Sequence, residues 1–336
     1  NNVISIFEDS FGNIWIGTFG YGLNKLPANE RSRKTSKVKF KKYFFSRGNS
    51  LSSNTVIDIT EDKEKNLWIA TLGGGLDRLN TSTEKFTNFK HDPLNKNSIY
   101  DDDLLSLYFD KSGILWIGTH LGAGISKLKK SSRNFKHMIS EPGNEKSLSD
   151  DVVWAIHQDD EDILWVGTYR GGLNRIDREK NDFKVFKRDP LNQKTLSDNH
   201  IRSIAEDKYG FLWIGTFSGG LNKFNKSTGE VERYQYNPND KFSIASNQIQ
   251  SIYIDENEIA WIAAYGGGLC SFDTRSLPDN NIIFSRYQNV ADDKNSLGDN
   301  RVYHIIENST GKLWMATHGG VSVFDKQSKS FENYSH

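Results

Sequence analysis

The chain has 336 residues, of which 36% are hydrophobic and 12% aromatic, and its 43 Lys and Arg residues balance 43 Asp and Glu residues. This zero net charge argues against a nucleic-acid-binding protein that works through bulk positive charge. The single cysteine, Cys270, excludes a disulfide framework within the chain. No apolar run reaches the roughly 18 residues that would predict a membrane-spanning helix.

Seven tryptophans recur at intervals of 48 to 53 residues, each in a phrase such as NIWIGT or ILWIGT. A fixed period of this length indicates a repeat architecture. Seven repeats of about 48 residues account for the whole sequence, so we interpret residues 1–336 as a single domain. The sequence begins inside a repeat, so we expect a portion of a larger protein. The repeats are centred on Trp15, Trp68, Trp116, Trp165, Trp213, Trp261 and Trp314.

The second repeat shows the predicted elements in chain order. Four short segments are rich in β-branched and aromatic residues and are bounded by turn residues, which is typical of strands. No segment keeps a helical period of 3.6 residues. We therefore predict an all-β fold, a seven-bladed β-propeller with four antiparallel strands per blade. The predicted strands of this repeat are Val56–Thr60, Leu67–Thr71, Leu76–Leu79 and Phe86–Lys90.

The turns of the repeats agree with this fold. The first hairpin carries Asp or Asn at its first position and Gly at its fourth, as in Asp207 and Gly210, which predicts a type I turn that ends in a left-handed residue. The second hairpin carries a Gly-Gly pair such as Gly219-Gly220, which predicts positive φ and a close backbone neighbour. We expect the repeated tryptophan to fill the space between neighbouring blades.

Two repeats are longer than the others. The extra residues fall between the third and fourth predicted strands of the first and sixth repeats, before Phe40 and before Phe284. The first insertion contains a basic run at residues 31–42. We interpret this run as a solvated loop rather than an anion-binding site.

The phrase IRSIAEDKYGFLWIGTFSGGLN at residues 201–222 resembles the two-component regulator propeller repeat, and the resemblance extends to all seven copies. Such repeats occur in the extracytoplasmic sensor regions of bacterial hybrid two-component proteins. These proteins often carry two seven-bladed propellers, a small β-sandwich, one membrane helix and a histidine kinase, and they typically sense oligosaccharides released from polysaccharides.

The resemblance implies a periplasmic, ligand-sensing domain. We expect no catalytic activity of the domain itself, and because blades are rigid, we expect the signal to travel by reorientation of whole domains. The expected partners are an oligosaccharide and a neighbouring propeller or sandwich domain, with a homodimer possible in the full-length protein. No nucleic acid, no direct membrane insertion by this chain and no cofactor are expected. The family has no fixed set of ligand residues to carry over.

Candidate binding residues come from a comparison of the repeats. The loop before the first strand and the turn between strands two and three should lie on one face, where propellers usually bind ligands. These positions vary most in repeats four to seven, where arginines could bind an acidic group and rings could stack on a sugar. The alternative is an ordinary solvated rim. The candidates are Trp154, Tyr169, Arg170, His200, Arg202, Phe217, Gln248, Gln250, Arg301 and Tyr303.

No segment predicts a catalytic set such as Ser-His-Asp, Cys-His or HExxH. His120 and His318 share a position in distant repeats and are not expected to bind a metal together. Asp102 and Asp103 are adjacent, and as strand residues they would point to opposite faces. Two alternatives to a sensor stay open: a protein-interaction scaffold, and a propeller lyase or hydrolase that uses His200.

Overall fold

The computed structural model describes residues 2–31, 38–120, 122–129, 134–275 and 282–334. These residues form 28 strands and one turn of 3-10 helix at Ala28–Glu30. Consecutive strands of the described ranges form seven four-stranded antiparallel sheets, each in chain order. The fold is therefore the all-β, seven-bladed β-propeller that the tryptophan spacing predicts.

The chain divides into two compact units, residues 1–156 with residue 336, and residues 157–335. The first unit holds blades 1 to 3, and the first strand of blade 4, β13 (Val153–Gln158), contains the boundary. The strands of the first three blades are β1 (Val3–Glu8), β2 (Ile14–Thr18), β3 (Leu23–Leu26), β4 (Lys41–Tyr43), β5 (Val56–Glu61), β6 (Asn66–Thr71), β7 (Leu76–Asn80), β8 (Lys85–Phe89), β9 (Leu104–Phe109), β10 (Ile114–Thr119), β11 (Ile125–Lys129) and β12 (Phe135–Met138). The second-repeat strands lie within one residue of the predicted bounds.

The second unit holds the rest of blade 4 and blades 5 to 7. Its strands are β14 (Leu164–Thr168), β15 (Leu173–Asp177), β16 (Asp182–Phe186), β17 (Ile201–Glu206), β18 (Phe211–Thr216), β19 (Leu221–Asn225), β20 (Val231–Tyr234), β21 (Ile249–Ile254), β22 (Ile259–Ala264), β23 (Gly268–Asp273), β24 (Ser285–Tyr287), β25 (Val302–Glu307), β26 (Leu313–Thr317), β27 (Gly320–Asp325) and β28 (Ser330–Tyr334).

The first hairpin of blades 1 to 6 is fixed by an aspartate at the first position of its turn. In blade 5, Asp207 Oδ1 accepts hydrogen bonds from the backbone N–H groups of Tyr209 and Phe211, both at 3.0 Å. Its Oδ2 accepts the indole N–H of Trp213 at 2.9 Å, and Gly210 closes the turn with φ +80°. The predicted turn is confirmed, and the same carboxylate also holds the repeated tryptophan.

Blade 7 departs from this arrangement because an asparagine replaces the aspartate. Asn308 Oδ1 accepts the backbone N–H of Lys312 at 2.9 Å, as an aspartate would. The buried indole N–H of Trp314, however, has no hydrogen-bond partner among the described residues. In blades 1 to 6 the corresponding indole donates to an aspartate at 2.7 to 3.0 Å.

The second hairpin shows why its glycine pair is required. Gly220 has φ +84°, and a Cβ there would lie 2.3 Å from the carbonyl oxygen of Tyr234. Gly219 has no positive φ, but a Cβ there would lie 2.4 Å from Ser197 Oγ. The predicted positive φ therefore belongs to the second glycine, whereas the first allows close packing against a loop.

The repeated tryptophan packs between its own blade and the next, as predicted. Trp213 of blade 5 belongs to a buried cluster with Ile244, Ile249 and Ile262 of blade 6, and its ring lies 4.6 Å from that of Phe272. Equivalent clusters surround Trp15, Trp68, Trp165 and Trp261.

Both insertions lie between the third and fourth strands of their blades, as expected, after β3 and after β23. Residues 32–37 of the basic run and residues 276–281 of the second insertion lie outside the described residues. Of the basic residues that are described, Arg31 forms an ion pair with Glu8 at 2.8 Å and Lys41 forms one with Glu84. These two cations therefore have acidic partners within the fold.

Candidate functional site

The loop before each first strand lies against the turn between the second and third strands of the same blade. In blade 5, the backbone N–H of Phe217 in this turn donates to the carbonyl oxygen of His200 at 3.0 Å. The N–H of Tyr265 donates to Gln248 in the same way, at 2.8 Å. The two sets of predicted site positions are therefore brought together within each of these blades.

The backbone of the variable loop residue is held by the side chain two positions before it. Asp198 Oδ1 accepts the backbone N–H of His200 at 3.1 Å, and Asp299 Oδ1 accepts that of Arg301 at 2.8 Å. Asp198 Oδ2 also accepts the N–H and the hydroxyl of Ser218 in the adjoining turn, at 2.9 and 2.6 Å. The loop thus has a fixed frame that carries a variable side chain.

A β-bulge follows this loop in each first strand whose register is described. In β17, the pairing with β18 shifts by one residue between Ile201 and Ser203, so Arg202 is the bulged residue. Bulges interrupt the alternation of a strand and redirect the bulged side chain, and they often occur beside binding sites. The bulged positions of blades 1, 2, 3, 5, 6 and 7 are Ile4, Ile57, Leu105, Arg202, Gln250 and Tyr303.

Four of the predicted site residues form a contact cluster, which we call the ring–cation cluster: Tyr169, His200, Arg202 and Phe217. The imidazole of His200 is 7% exposed. It stacks on the Phe217 ring at 4.8 Å with an interplanar angle of 17° and meets the Tyr169 ring edge to face at 4.5 Å. The Arg202 guanidinium lies over the Phe217 ring, 5.1 Å from its centroid.

The outer edge of the cluster is open to solvent. Tyr169 and Phe217 are 37% and 39% exposed, and the guanidinium of the exposed Arg170 lies 4.9 Å from the Tyr169 ring centroid. Aromatic rings of this size supply rigid, partly apolar contact surface. The cluster therefore offers two accessible rings and one cation, Arg202, with the cation of Arg170 beside it.

Burial and charge shift the pKa values of His200 and Arg202 in the cluster. Burial, followed by the charge of Arg202, lowers the pKa of His200 to about 4, although Asp198 opposes the shift. Burial also lowers the pKa of Arg202 to about 10. At neutral pH the cluster therefore combines a neutral imidazole with a charged guanidinium that is partly withdrawn from water.

The predicted residue Arg301 is engaged differently. Its Nε and Nη2 donate to the two carboxylate oxygens of Asp299, at 2.9 and 2.6 Å. This pairing holds the pKa of Asp299 below its usual range. Arg301 thus presents its guanidinium as part of a bidentate ion pair rather than as an isolated cation.

The other predicted residues of blades 6 and 7 are half-buried polar side chains. Gln248 lies in the loop before β21 and Gln250 in its bulge. Among the described residues, neither side-chain amide has a hydrogen-bond partner within the protein, so both can bind an external polar group. The Tyr303 ring contacts Tyr265 at a centroid distance of 5.5 Å. Trp154 is half-buried on β13 and belongs to the first unit.

Other positions considered in the sequence have structural partners. Asp102 and Asp103 lie in the loop before β9 rather than in the strand. Asp102 Oδ1 accepts the N–H of His91 and Asp103 Oδ1 that of Gly73, so the pair forms two separate backbone contacts. No group of three or more His, Cys, Asp or Glu side chains in the described ranges could hold a metal ion.

A cavity of about 750 Å³ lies between blades 2 and 3 of the first unit. Its lining includes Trp68, Arg78 and Phe89, and the Trp68 and Phe89 rings stack at 5.6 Å. None of the predicted site residues lines it. This cavity and the variable loop positions are therefore distinct features of the molecule.

Sequence reasoning missed the residues that support the site. Asp198 and Asp299 fix the backbone of His200 and Arg301, and Tyr265 packs on Tyr303. The recurrence of Asp or Ser two positions before the variable residue in repeats two to seven could have predicted these supporting residues. The equivalent residues of the other described loops are Ser53, Asp101, Asp150 and Ser246.

Comparison with known proteins finds similarity to a histidine kinase, to a hybrid two component system and to a lyase. A histidine kinase, P4, from Formosa agariphila is 37% identical over 83 residues, which are 24% of this chain and 6% of that protein. The extracellular domain of BT3049, described as a hybrid two component system of B. thetaiotaomicron, is 24% identical, with a TM-score of 0.76 over 100% of this chain and 40% of its own. Virginiamycin B lyase from Staphylococcus aureus is 13% identical, with a TM-score of 0.65 over 94% of this chain and 92% of its own.

The two sensor relatives are much longer than this chain, and the likeness to the two solved structures concerns the fold alone. Within the described residues, no helix is long and apolar enough to cross a membrane. The family description "Two component regulator propeller" matches residues 1–20, 50–73, 147–170, 195–218 and 296–319. Each match ends at or just after a Thr that closes the second strand of a blade. Five segments of the chain therefore match the two component regulator propeller repeat, the repeat that its sequence resembles.

Proposed function

We propose that the chain is the ligand-sensing propeller of a two-component sensor, that it lies in the periplasm, and that it binds an oligosaccharide. The observation that carries the proposal is the ring–cation cluster at the variable positions of a repeated, hydrogen-bonded frame. A binding surface needs rigid support and side chains that differ from the structural repeat. Blade 5 combines both.

The chemistry of the surface suits a sugar. The exposed parts of the Tyr169 and Phe217 rings can contact the apolar face of a pyranose ring. The amides of Gln248, in the loop before β21, and of Gln250, in the bulge of β21, can both donate to and accept from hydroxyl groups. Strands β17 and β21 are in contact, so the bulges that carry Arg202 and Gln250 lie on adjacent strands of one unit.

Signal transmission would follow from the stiffness of the blades. The N–H of Gly220 in blade 5 donates to the carbonyl oxygen of Asn247 in blade 6 at 2.9 Å, and that of Gly268 donates to Asn300 of blade 7 at the same distance. Such backbone bonds, with the shared tryptophan clusters, oppose deformation of a single blade. We expect ligand binding to reorient whole domains, with a neighbouring propeller or sandwich domain as the partner.

A catalytic role for His200 fits the geometry less well. A general base works best when its pKa lies near the working pH, whereas that of His200 is lowered to about 4. Its imidazole is also held between two rings. The similarity to virginiamycin B lyase concerns the fold, and binding without turnover is the function that this site supports best.

The test is thermal unfolding of the chain against a panel of oligosaccharides. A ligand at about 100 times its Kd should stabilise the folded state by about 2.7 kcal/mol. The Phe217→Ala variant should lose the response. Phe19→Ala is the matched control, since Phe19 occupies the same turn position in blade 1 and is also exposed.

Two results would contradict the proposal. A response that survives Phe217→Ala would place the sugar elsewhere. The absence of a response to any sugar would favour the interaction scaffold, for which the exposed rings of Phe19, Tyr21, Phe44 and Phe45 in blade 1 are the available surface.

A further inference from the structure

The bulge of blade 5 carries the one charged side chain among the described bulge positions. The others hold isoleucine, leucine, glutamine or tyrosine. Because blades with quite different residues share the bulge, Arg202 is not needed to form it. The arginine is an addition to a structural feature that exists without it.

The surroundings of Arg202 strengthen its attraction for an anion. Its guanidinium is half-buried against the Phe217 ring. Burial lowers its pKa to about 10, which means that the charged form has lost part of its hydration. Opposite charges attract more strongly where water is partly excluded. An acidic group at this position would offset the cost of burying the cation.

The side chains near Arg202 differ in charge and in the hydrogen bonds that they form. His200 is neutral at pH 7, so it can take part in a hydrogen bond without adding charge. Asp198, the nearby carboxylate of the loop, receives hydrogen bonds from His200 and Ser218. The guanidinium fork matches the geometry of a carboxylate or a sulfate better than an ammonium group does.

We propose that the sugar bound at the ring–cation cluster carries an acidic group, a carboxylate or a sulfate, and that Arg202 is the residue that binds this group. The proposal rests on the proposed function, because it names the class of sugar that the same surface takes. The sugar ring would lie on Phe217 or Tyr169, and the acidic substituent would point towards the bulge. Arg301, whose guanidinium is paired with Asp299, would not contribute.

The experiment begins with the intact chain on a glycan array that carries neutral, uronate-containing and sulfated oligosaccharides. The Kd of every bound glycan is then measured by titration calorimetry for the chain and for Arg202→Gln, Arg202→Lys and Arg301→Gln. Carboxylate-bearing glycans are compared with their methyl esters and sulfated ones with their desulfated forms. This comparison distinguishes the two sources of acidic group without changing the protein.

The expected result is binding of acidic glycans that weakens at least about 30-fold in Arg202→Gln and falls similarly on esterification or desulfation. Arg202→Lys should be intermediate, and Arg301→Gln should differ from the parent chain by less than about threefold, as expected for an exposed ion pair. If Arg202→Gln fails to fold, the ester and desulfated pairs and Arg202→Lys still decide the question.

Two outcomes would overturn the proposal while the sugar-binding function stands. One is binding of neutral glycans alone, and the other is binding of acidic glycans with the same affinity in Arg202→Gln. Binding of no glycan would overturn the proposed function itself, and the identity of the acidic group with it.

Discussion

The aspartate–tryptophan bond of the first hairpin allows a reciprocal test of what stabilises each blade. Blade 5 has Asp207 bound to the indole N–H of Trp213. Blade 7 has Asn308 in the same position, and the buried indole N–H of Trp314 lacks a partner within the described residues. Exchanging the two residue types should therefore change the free energy of unfolding in opposite directions.

The expected magnitudes follow from the hydrogen bonds that change. Asp207→Asn keeps an oxygen for the backbone N–H groups but turns an amide towards the indole, and an unsatisfied buried donor costs about 1–3 kcal/mol. Asn308→Asp supplies a charged acceptor, which is worth about 1.5–3 kcal/mol. Burial raises the pKa of Asp207, the equivalent aspartate of blade 5. An aspartate at position 308 should likewise lose part of this stabilisation to desolvation. We expect a net gain of about 1 kcal/mol for Asn308→Asp.

Urea unfolding at pH 7, followed by tryptophan fluorescence and circular dichroism, measures both changes. Asp189→Asn is the control, since Asp189 accepts a backbone N–H in an exposed loop and no indole is involved. If the slope of the unfolding free energy against urea concentration is the same in all variants, differences between their midpoints report differences in stability. If Asp207→Asn costs no more than the control, or if Asn308→Asp destabilises the chain, the account of this bond is wrong.

Two further predictions concern His200 and the glycines of the second hairpin. The pKa of His200 is lowered to about 4 in the folded chain, against about 6.5 in the unfolded chain. As pH falls from about 6.5 to about 4, the unfolded chain binds a proton at His200 before the folded chain does, and the folded state is destabilised. His200→Gln should reduce this dependence in urea midpoints measured across that range, and an unchanged profile would contradict it. Gly220→Ala should cost about 2 kcal/mol or more, because positive φ adds to a backbone clash. Gly266→Ala should cost clearly less by the same assay, because a Cβ there meets open space, and equal losses would show that the clash is relieved.

The sequence predicts the blades well because their determinants are local. The tryptophan period, the hairpin turns and the glycine pairs each act over a few residues, and repetition makes them visible. The sequence identified Asp207 only as a turn residue. Its hydrogen bond to the indole of Trp213 was not predicted, because that bond depends on the direction of two side chains. The bulge at Arg202 is a one-residue shift in strand pairing, and the residue types at this position do not predict it.

The site was predicted as a set of variable positions, and the structure separates its members. Tyr169, His200, Arg202 and Phe217 are in contact, and their role in binding stays a prediction. The state of Arg301 could not be inferred from its residue type, because it depends on whether Asp299 turns towards the guanidinium or only towards the backbone.

The bulge and the loop before it have a consequence for how the chain can change. The frame is made by backbone groups and by the Asp or Ser two positions earlier, so replacement of the bulged side chain leaves those bonds intact. Substitutions at Arg202, Gln250 and Tyr303 lie on different blades and share few partners, which favours additive effects on stability. A combinatorial library at these positions should therefore contain many folded members with altered ligand preference. The same independence would let natural relatives diversify their specificity one blade at a time.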